Sequence, residues 1–468
     1  MRSLHAAQHA AHNAFTDLRA REREGLAVIG RRSMLKASLA GMAGLGLPEL
    51  LRLRRAAAAD APVSNRKSVI LLWMAGGPSH IDTWDPKPEA PPEVRGPFAT
   101  IPTALPAVRL CEHLPKQAAM MDRLTIVRSV DPYKSNHQPN QVFQTGHREA
   151  APRVNREGDK YPAIASIVAK LRGPNHPAMP PYVALNVRDT THIAWGGYLG
   201  KRYDPFNAMN VGKIFALPTG LDTARIADRT SLREQLDHLR RDVDRTGSLV
   251  GLDAFSQQAV EIVAGAKAQE AFDLQREPQA VRERYGEHEW CQQALLARRL
   301  VESGVSFVTL VLSNHRSSGT WDTHGDNIPP YGGIMNGLRP LLPVFDHLLT
   351  TLVDDLHTRG LADDVLVIAM GEFGRTPTLG TQGSTDGRNH WPYVSSLTMA
   401  GGGMQHGQVI GASDHQGGQI KERPVKPADL AATIYRHMGV LLDATYLDFR
   451  GRPRMIVEEG GQPIAELL

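Results

Sequence analysis

The chain has 468 residues, with 53 Lys/Arg against 49 Asp/Glu and only two cysteines. Residues 1–59 hold ten Lys/Arg and four Asp/Glu, so the excess of six positive charges there leaves the remainder at −2. A body without a basic surplus gives no electrostatic case for nucleic-acid binding, and two cysteines, Cys111 and Cys291, make no disulfide framework and read as buried, inert thiols.

In chain order, the first feature is Arg31-Arg32 followed by Ser33, Met34, Leu35 and Lys36, then a weakly apolar run from Ala37 to Leu47 and small residues at Ala56 to Ala59. That order of basic, apolar and A-x-A-like segments is the pattern of a twin-arginine export signal. Residues 1–59 therefore read as a signal region with cleavage expected near Ala59, although Arg52, Arg54 and Arg55 just before it are unusual. The twin-arginine translocase is the partner this implies, and a periplasmic or extracellular location follows. The apolar run falls short of the roughly 20 residues that span a bilayer, and no later segment reaches them, so no transmembrane helix is expected in the mature chain.

Residues 60–468 read as an α/β domain. SVILLWM at Ser68–Met74 is a continuous apolar run, as a strand buried on both faces requires. A short helix near Pro115–Asp122, a strand at Leu124–Val130, helical spacing at Tyr161–Leu171 and a third strand at Tyr182–Val187 follow. From about Ala224 to Glu302 the composition is helical, rich in Arg, Glu, Gln, Leu and Ala. Strands at Val305–Leu312 and Val365–Met370 flank an amphipathic helix at Pro340–Arg359, with Gly360 as its C-cap, and a last helix spans Pro427–Met438. Strands alternating with helices predict a mostly parallel central sheet with a helical insertion.

Ligands in such sheets bind beyond the carboxyl ends of the strands, and the segments found there are alike. His80, Asp82 and Asp85 follow the first strand; Asp131, Ser135, His137 and His147 follow the second; His315, Asp322, His324 and Asp326 follow the VSFVTLVLS strand; Glu372, Arg375, Asp386, Arg388 and His390 follow VLVIAM. Asp322-Thr323-His324 puts a carboxylate and an imidazole two apart in a glycine-containing loop, a donor pair that suits zinc, iron or manganese; alone, it reads equally as a polar turn. Glu372 could bind a cation while Arg375 holds an anion bidentately, or the two could pair to fix the loop. His390 is either a ligand or a histidine packed beside Trp391. Ser135 opens a segment ending at Thr145-Gly146, where it serves as nucleophile or merely as N-cap, beside a helix start suited to an anion. Gly76-Gly77 lacks the lysine and spacing of a phosphate loop, and Ala400-Gly401-Gly402-Gly403 reads as a turn.

GGPSHIDTWDPKP, the TGH after SNHQPNQVFQ, WDTHGDN, GEFGRTP, GRNHWP and AGGGMQHGQVIG together closely resemble the exported bacterial family called domain of unknown function 1501. The resemblance covers nearly all of the mature chain. It implies a fold similar to alkaline phosphatases and sulfatases, hence an alkaline-phosphatase-like three-layer sandwich, and a divalent metal such as zinc. Carried over by position, Asp82 resembles the first-strand ligand, Asp322 and His324 the Asp and His of one metal site, and His390 its distal histidine. Glu372 falls where that superfamily has the Asp of an Asp-His pair, and Phe373 stands in place of the pair's histidine. Asn136 occupies the position of a sulfatase's modified cysteine, and no C-x-P-x-R occurs anywhere, which argues against a formylglycine sulfatase. The activity implied is metal-dependent hydrolysis or transfer on phosphate or sulfate esters, with Arg375 or Arg388 neutralising the anion and Ser135 or His137 near the attacking group. An anionic ester or polysaccharide is the substrate class. The alternative is a non-catalytic exported binding or assembly protein that retains the hydrolase fold.

Overall fold

The computed structural model describes residues 66–135, 137, 141–151, 155–210, 266–380, 383–458 and 460–468. The expected signal region, the 224–265 part of the helical segment and Asn136 lie outside the described residues.

Eight strands form one sheet: β1 (Ser68–Trp73), β2 (Leu124–Val130), β3 (Tyr182–Leu185), β4 (Phe206–Asn207), β5 (Phe307–Val311), β6 (Val365–Met370), β7 (Ser395–Gly401) and β8 (Gln408–Ile410). They lie in the order β8-β2-β7-β6-β1-β5-β3-β4. Every pairing is parallel except the two made by β7, which runs antiparallel to both β2 and β6. The mostly parallel α/β architecture is therefore as the composition of the strands predicts.

The longer helices are α1 (Ile164–Leu171), α2 (Ala266–Phe272), α3 (Gln279–Tyr285), α4 (Glu289–Ser303), α5 (Arg339–Thr358) and α6 (Pro427–His437). Alternation along β1 divides them into two layers, because successive side chains of a strand leave opposite faces. Ile70, Leu72 and Met74 join a core containing Trp290 and Leu295 of α4 and Phe345 and Leu348 of α5. Val69, Leu71 and Trp73 join a second core with Ile164 and Val168 of α1 and Ile434 and Tyr435 of α6. A sheet buried on both sides explains why its central strands are continuous apolar runs. The described part of the helical segment supplies α2, α3 and α4, held to α5 through Arg298, whose guanidinium reaches Glu277, Glu302 and Asp355.

Two further expectations resolve here. Cys111 and Cys291 are both buried and unbridged, and burial pushes their thiols up to about 12 and about 11. Among the described residues, no helix is long and apolar enough to cross a membrane. Gly401, Gly402 and Gly403 all have positive φ, and a Cβ on Gly401 would come within 2.4 Å of the Val365 carbonyl oxygen, so that run turns tightly against β6.

Candidate metal centre

The loops that leave β2, β5 and β6, and the segment that enters β7, meet at one end of the sheet. Gly76, at φ +119°, brings the loop after β1 against the backbone of Asp322; a Cβ there would lie 2.4 Å from the Asp322 nitrogen. This is the work of the Gly76-Gly77 pair. The Gly76 N–H donates to Glu372 Oε1 at 2.9 Å, while the Gly76 and Gly77 carbonyls accept from the Arg375 guanidinium.

Four side chains face a common point. His137, Asp322, His324 and His390 each offer one donor atom, and these atoms lie within 4.8 Å of one another. The donors of one tetrahedral zinc lie about 3.3 Å apart, so a cradle of this span has the size for a single ion. The contacts within it are short. His137 Nε2 stands 2.6 Å from His390 Nε2, and Asp322 Oδ2 is 3.1 Å from His137 Nε2 and 3.8 Å from His390 Nε2. Asp322 Oδ2 is buried and accepts no well-directed hydrogen bond, and Glu372 Oε2 is buried in the same condition. A buried carboxylate oxygen that lacks well-directed donors is costly, and a cation is a partner that such an oxygen accepts. The residues therefore fit a divalent metal, and three imidazoles with one carboxylate suit zinc among others.

The electrostatics of the cluster are set by its own charges and burial. Burial acts to raise the pKa of Asp322, but Arg375 and the three histidines outweigh it and hold the carboxyl well below its usual range. Arg375 Nη1 meets Asp322 Oδ1 at 2.8 Å, both side chains fully buried, and His324 Nδ1 contacts the same oxygen. Burial pulls His390 down to about 3, which keeps its imidazole neutral and able to ligate. Burial also opposes protonation of His137, yet the hydrogen bonds and charges of Asp322 and Glu372 outweigh it and raise its pKa.

Sequence-based roles and observed places divide as follows. Asp322, His324 and His390 are brought together as donors. His137, expected near the attacking group, stands among the donors instead; its signal was the same as theirs, an imidazole in a loop beyond a strand. Glu372 lies one step back, its Oε1 2.9 Å from His137 Nδ1, the carboxylate–histidine arrangement that fixes a ligand's orientation. Asp82 is not in the cluster. Arg388 Nε and Nη2 take both of its oxygens, at 2.7 and 3.1 Å, with both side chains fully buried. The other Arg388 donors go to the carbonyls of Val94, Thr376 and Pro377, so no N–H remains for a substrate anion. Arg375 is likewise buried and engaged, with Gly76, Gly77, Asp322 and the Arg388 carbonyl, and its guanidinium lies 5.4 Å over the Phe373 ring. Ser135 donates its hydroxyl to the Glu372 carbonyl. The described helix of that segment is short, Gln141–Thr145. His80 is buried and bonded to the Gly417 carbonyl, and His147 sits 3.1 Å from Glu458.

Replacing Glu372 by Gln keeps its shape but removes the charge that orients His137. Zinc affinity is expected to fall about 10- to 100-fold, read by competition with a chromogenic chelator; an unchanged affinity would show that Glu372 does not tune the site.

Fold and site together define an α/β protein with a partly buried cluster of three histidines and one aspartate that could hold a cation. The chain belongs to the family described as protein of unknown function (DUF1501), whose model matches residues 66–468. No curated protein matches it. Among solved structures it is similar to a sulfatase from Pseudoalteromonas sp., at 13% identity and TM-score 0.35, covering 92% of this chain and 76% of the other. It is similar to a phosphonate monoester hydrolase from Silicibacter pomeroyi, at 13% and 0.35, covering 75% and 71%. A third likeness is to the C-terminal periplasmic domain of EcEptC from Escherichia coli in complex with Zn, at 9% and 0.34, covering 80% and 82%. Identities and scores this low say nothing of activity or substrate.

Proposed function

We propose that this chain is an exported, metal-dependent hydrolase or transferase acting on phosphate or sulfate esters. The observation that carries this reading is the convergence of His137, Asp322, His324 and His390, whose donor atoms lie within 4.8 Å of one another. A divalent ion there would supply Lewis-acid polarisation of an ester oxygen. The chain's own part is to hold that geometry. Arg375 and Glu372 fix Asp322 and His137, and the Phe373 ring, 4.8 Å from the rings of both His137 and His390, closes one side of the cluster. The Ser135 hydroxyl is committed to the Glu372 carbonyl, so attack by this serine requires that bond to open. The substrate class rests on the order of the loop motifs, which resembles that of alkaline phosphatases and sulfatases. Export through the twin-arginine translocase, to the periplasm or beyond, is supported by Arg31-Arg32 and the segment after it.

One observation favours the alternative, a non-catalytic exported binding or assembly protein. The two arginines expected to receive an anion, Arg375 and Arg388, are both sealed by internal contacts. The two readings part on turnover. The zinc- or manganese-loaded protein is expected to hydrolyse para-nitrophenyl phosphate or sulfate and to lose that activity in chelator. A fully loaded protein that turns over neither ester would favour the binding reading.

A further inference from the structure

Beside the metal cradle, toward the β3–β4 edge of the sheet, lies a cavity of about 340 Å³ lined by Val187, Arg188, Asn207, Met209, Asn314, His315 and Arg316. Small-molecule sites begin at about 300 Å³, so the space admits one compact organic group. Its walls are the end of β4 and the segments beyond β3, β4 and β5. Tyr331 links cavity and cradle, its ring 6.0 Å from the His315 ring and 5.7 Å from the His324 ring.

The loop that carries Asn314, His315 and Arg316 is pinned at several points. The Asn314 N–H donates to Thr320 Oγ1 at 2.7 Å, His192 Nε2 meets the Ser317 carbonyl at 2.7 Å, and the Tyr331 hydroxyl donates to Ser318 Oγ at 2.9 Å. Asn186 ties the floor by donating to the carbonyls of Val311 and Ser313. The two cations of the cavity differ in state. Arg188 is held by both oxygens of Glu289, at 2.8 and 2.7 Å. Arg316 is exposed and makes no hydrogen bond or ion pair among the described residues. A pinned loop thus presents an uncommitted guanidinium, flanked by an amide and an imidazole suited to hydroxyls, next to a cation site whose own arginines, Arg375 and Arg388, are engaged.

We infer that this cavity is a substrate subsite, in which Arg316 receives a second anionic group, sulfate or phosphate, on a hydroxylated carrier whose scissile ester lies at the metal cradle. The inference rests on the ester-hydrolase reading above and names its substrate as one with two anions rather than one. Arg316 sets specificity, and Asn314, Asn207 and His315 serve the carrier's hydroxyls.

The test is calorimetric titration of the zinc-loaded full chain with a disulfated disaccharide and, separately, with glucose 1,6-bisphosphate, which distinguishes the two anion sources. Binding of at least one probe is expected, weakened about tenfold or more in Arg316→Glu, as loss of a charge-assisted contact dictates, and largely kept in Arg316→Lys. Zinc stoichiometry should be the same in all three proteins, since Arg316 touches no donor. Equal affinity in Arg316→Glu would overturn the inference, and so would a wild type that hydrolyses para-nitrophenyl esters but binds neither probe. A wild type that holds no zinc would instead sink the ester-hydrolase reading itself.

Discussion

The purified wild-type chain, freed of loosely held ions, is expected to retain about one zinc per molecule, the number a four-donor site accommodates, while His324→Ala/His390→Ala retains almost none. Both substitutions remove donors from the cluster and leave only His137 and Asp322, too few for tight binding of zinc. The double variant should stay folded, because both residues are only partly buried and neither anchors a strand of the central sheet. Elemental analysis beside circular dichroism reads the two properties separately. Saturating metal at about a thousand times its dissociation constant adds about 4 kcal/mol to stability, so chelator should lower the wild-type melting temperature and leave the double variant unmoved. Metal retained at full stoichiometry in the double variant would reject the cradle, and a well-folded wild type without metal would reject it equally.

The second large effect concerns Arg388. Arg388→Ala is expected to cost about 3–5 kcal/mol of unfolding free energy, since it leaves the buried Asp82 carboxylate without its cation. The paired replacement Asp82→Leu/Arg388→Met, which removes both charges and keeps volume, should recover most of that loss. Urea denaturation of the three proteins decides the matter. If Arg388→Ala instead unfolds like the wild type and loses only ester hydrolysis, then Arg388 reaches substrate and the buried pair is not its resting place.

The Asp82–Arg388 pair also marks the limit of what could be read without coordinates. Strands β1, β2 and β6 were legible because a strand covered on both faces must be a run such as SVILLW or VLVIAM. Strand β7, SSLTMAG, was not, since serine and threonine interrupt its apolar pattern and Trp391-Pro392 just before it reads as loop. Strands β4 and β8, with two and three residues, carry no periodicity at all. For the site, the gathering of histidines and carboxylates beyond the strand ends was visible in the chain. Which of them face one another was not. Asp82 and Arg388 are separated by 306 positions, and His137 and Glu372 by 235; nothing local in either segment records the partner. An acid beyond the first strand resembles a ligand until its cation is seen, and His137 reads as lying near the attacking group until its neighbours are seen to be candidate donors.

The wide spacing of the four donors has a consequence for the order in which the molecule is assembled. His137, Asp322, His324 and His390 come from segments placed by β2, β5, β6 and β7, which reach one another only through the completed sheet. Closing loops of that length before strand pairing would cost entropy with nothing yet to offset it. An ion therefore cannot nucleate this fold as it does in a small zinc finger, whose ligands are sequence neighbours. Dependence runs one way: damage to the sheet should empty the cradle, whereas an empty cradle should leave the sheet standing. Metal acquisition would then be a final maturation step, open to whichever compartment the finished protein occupies.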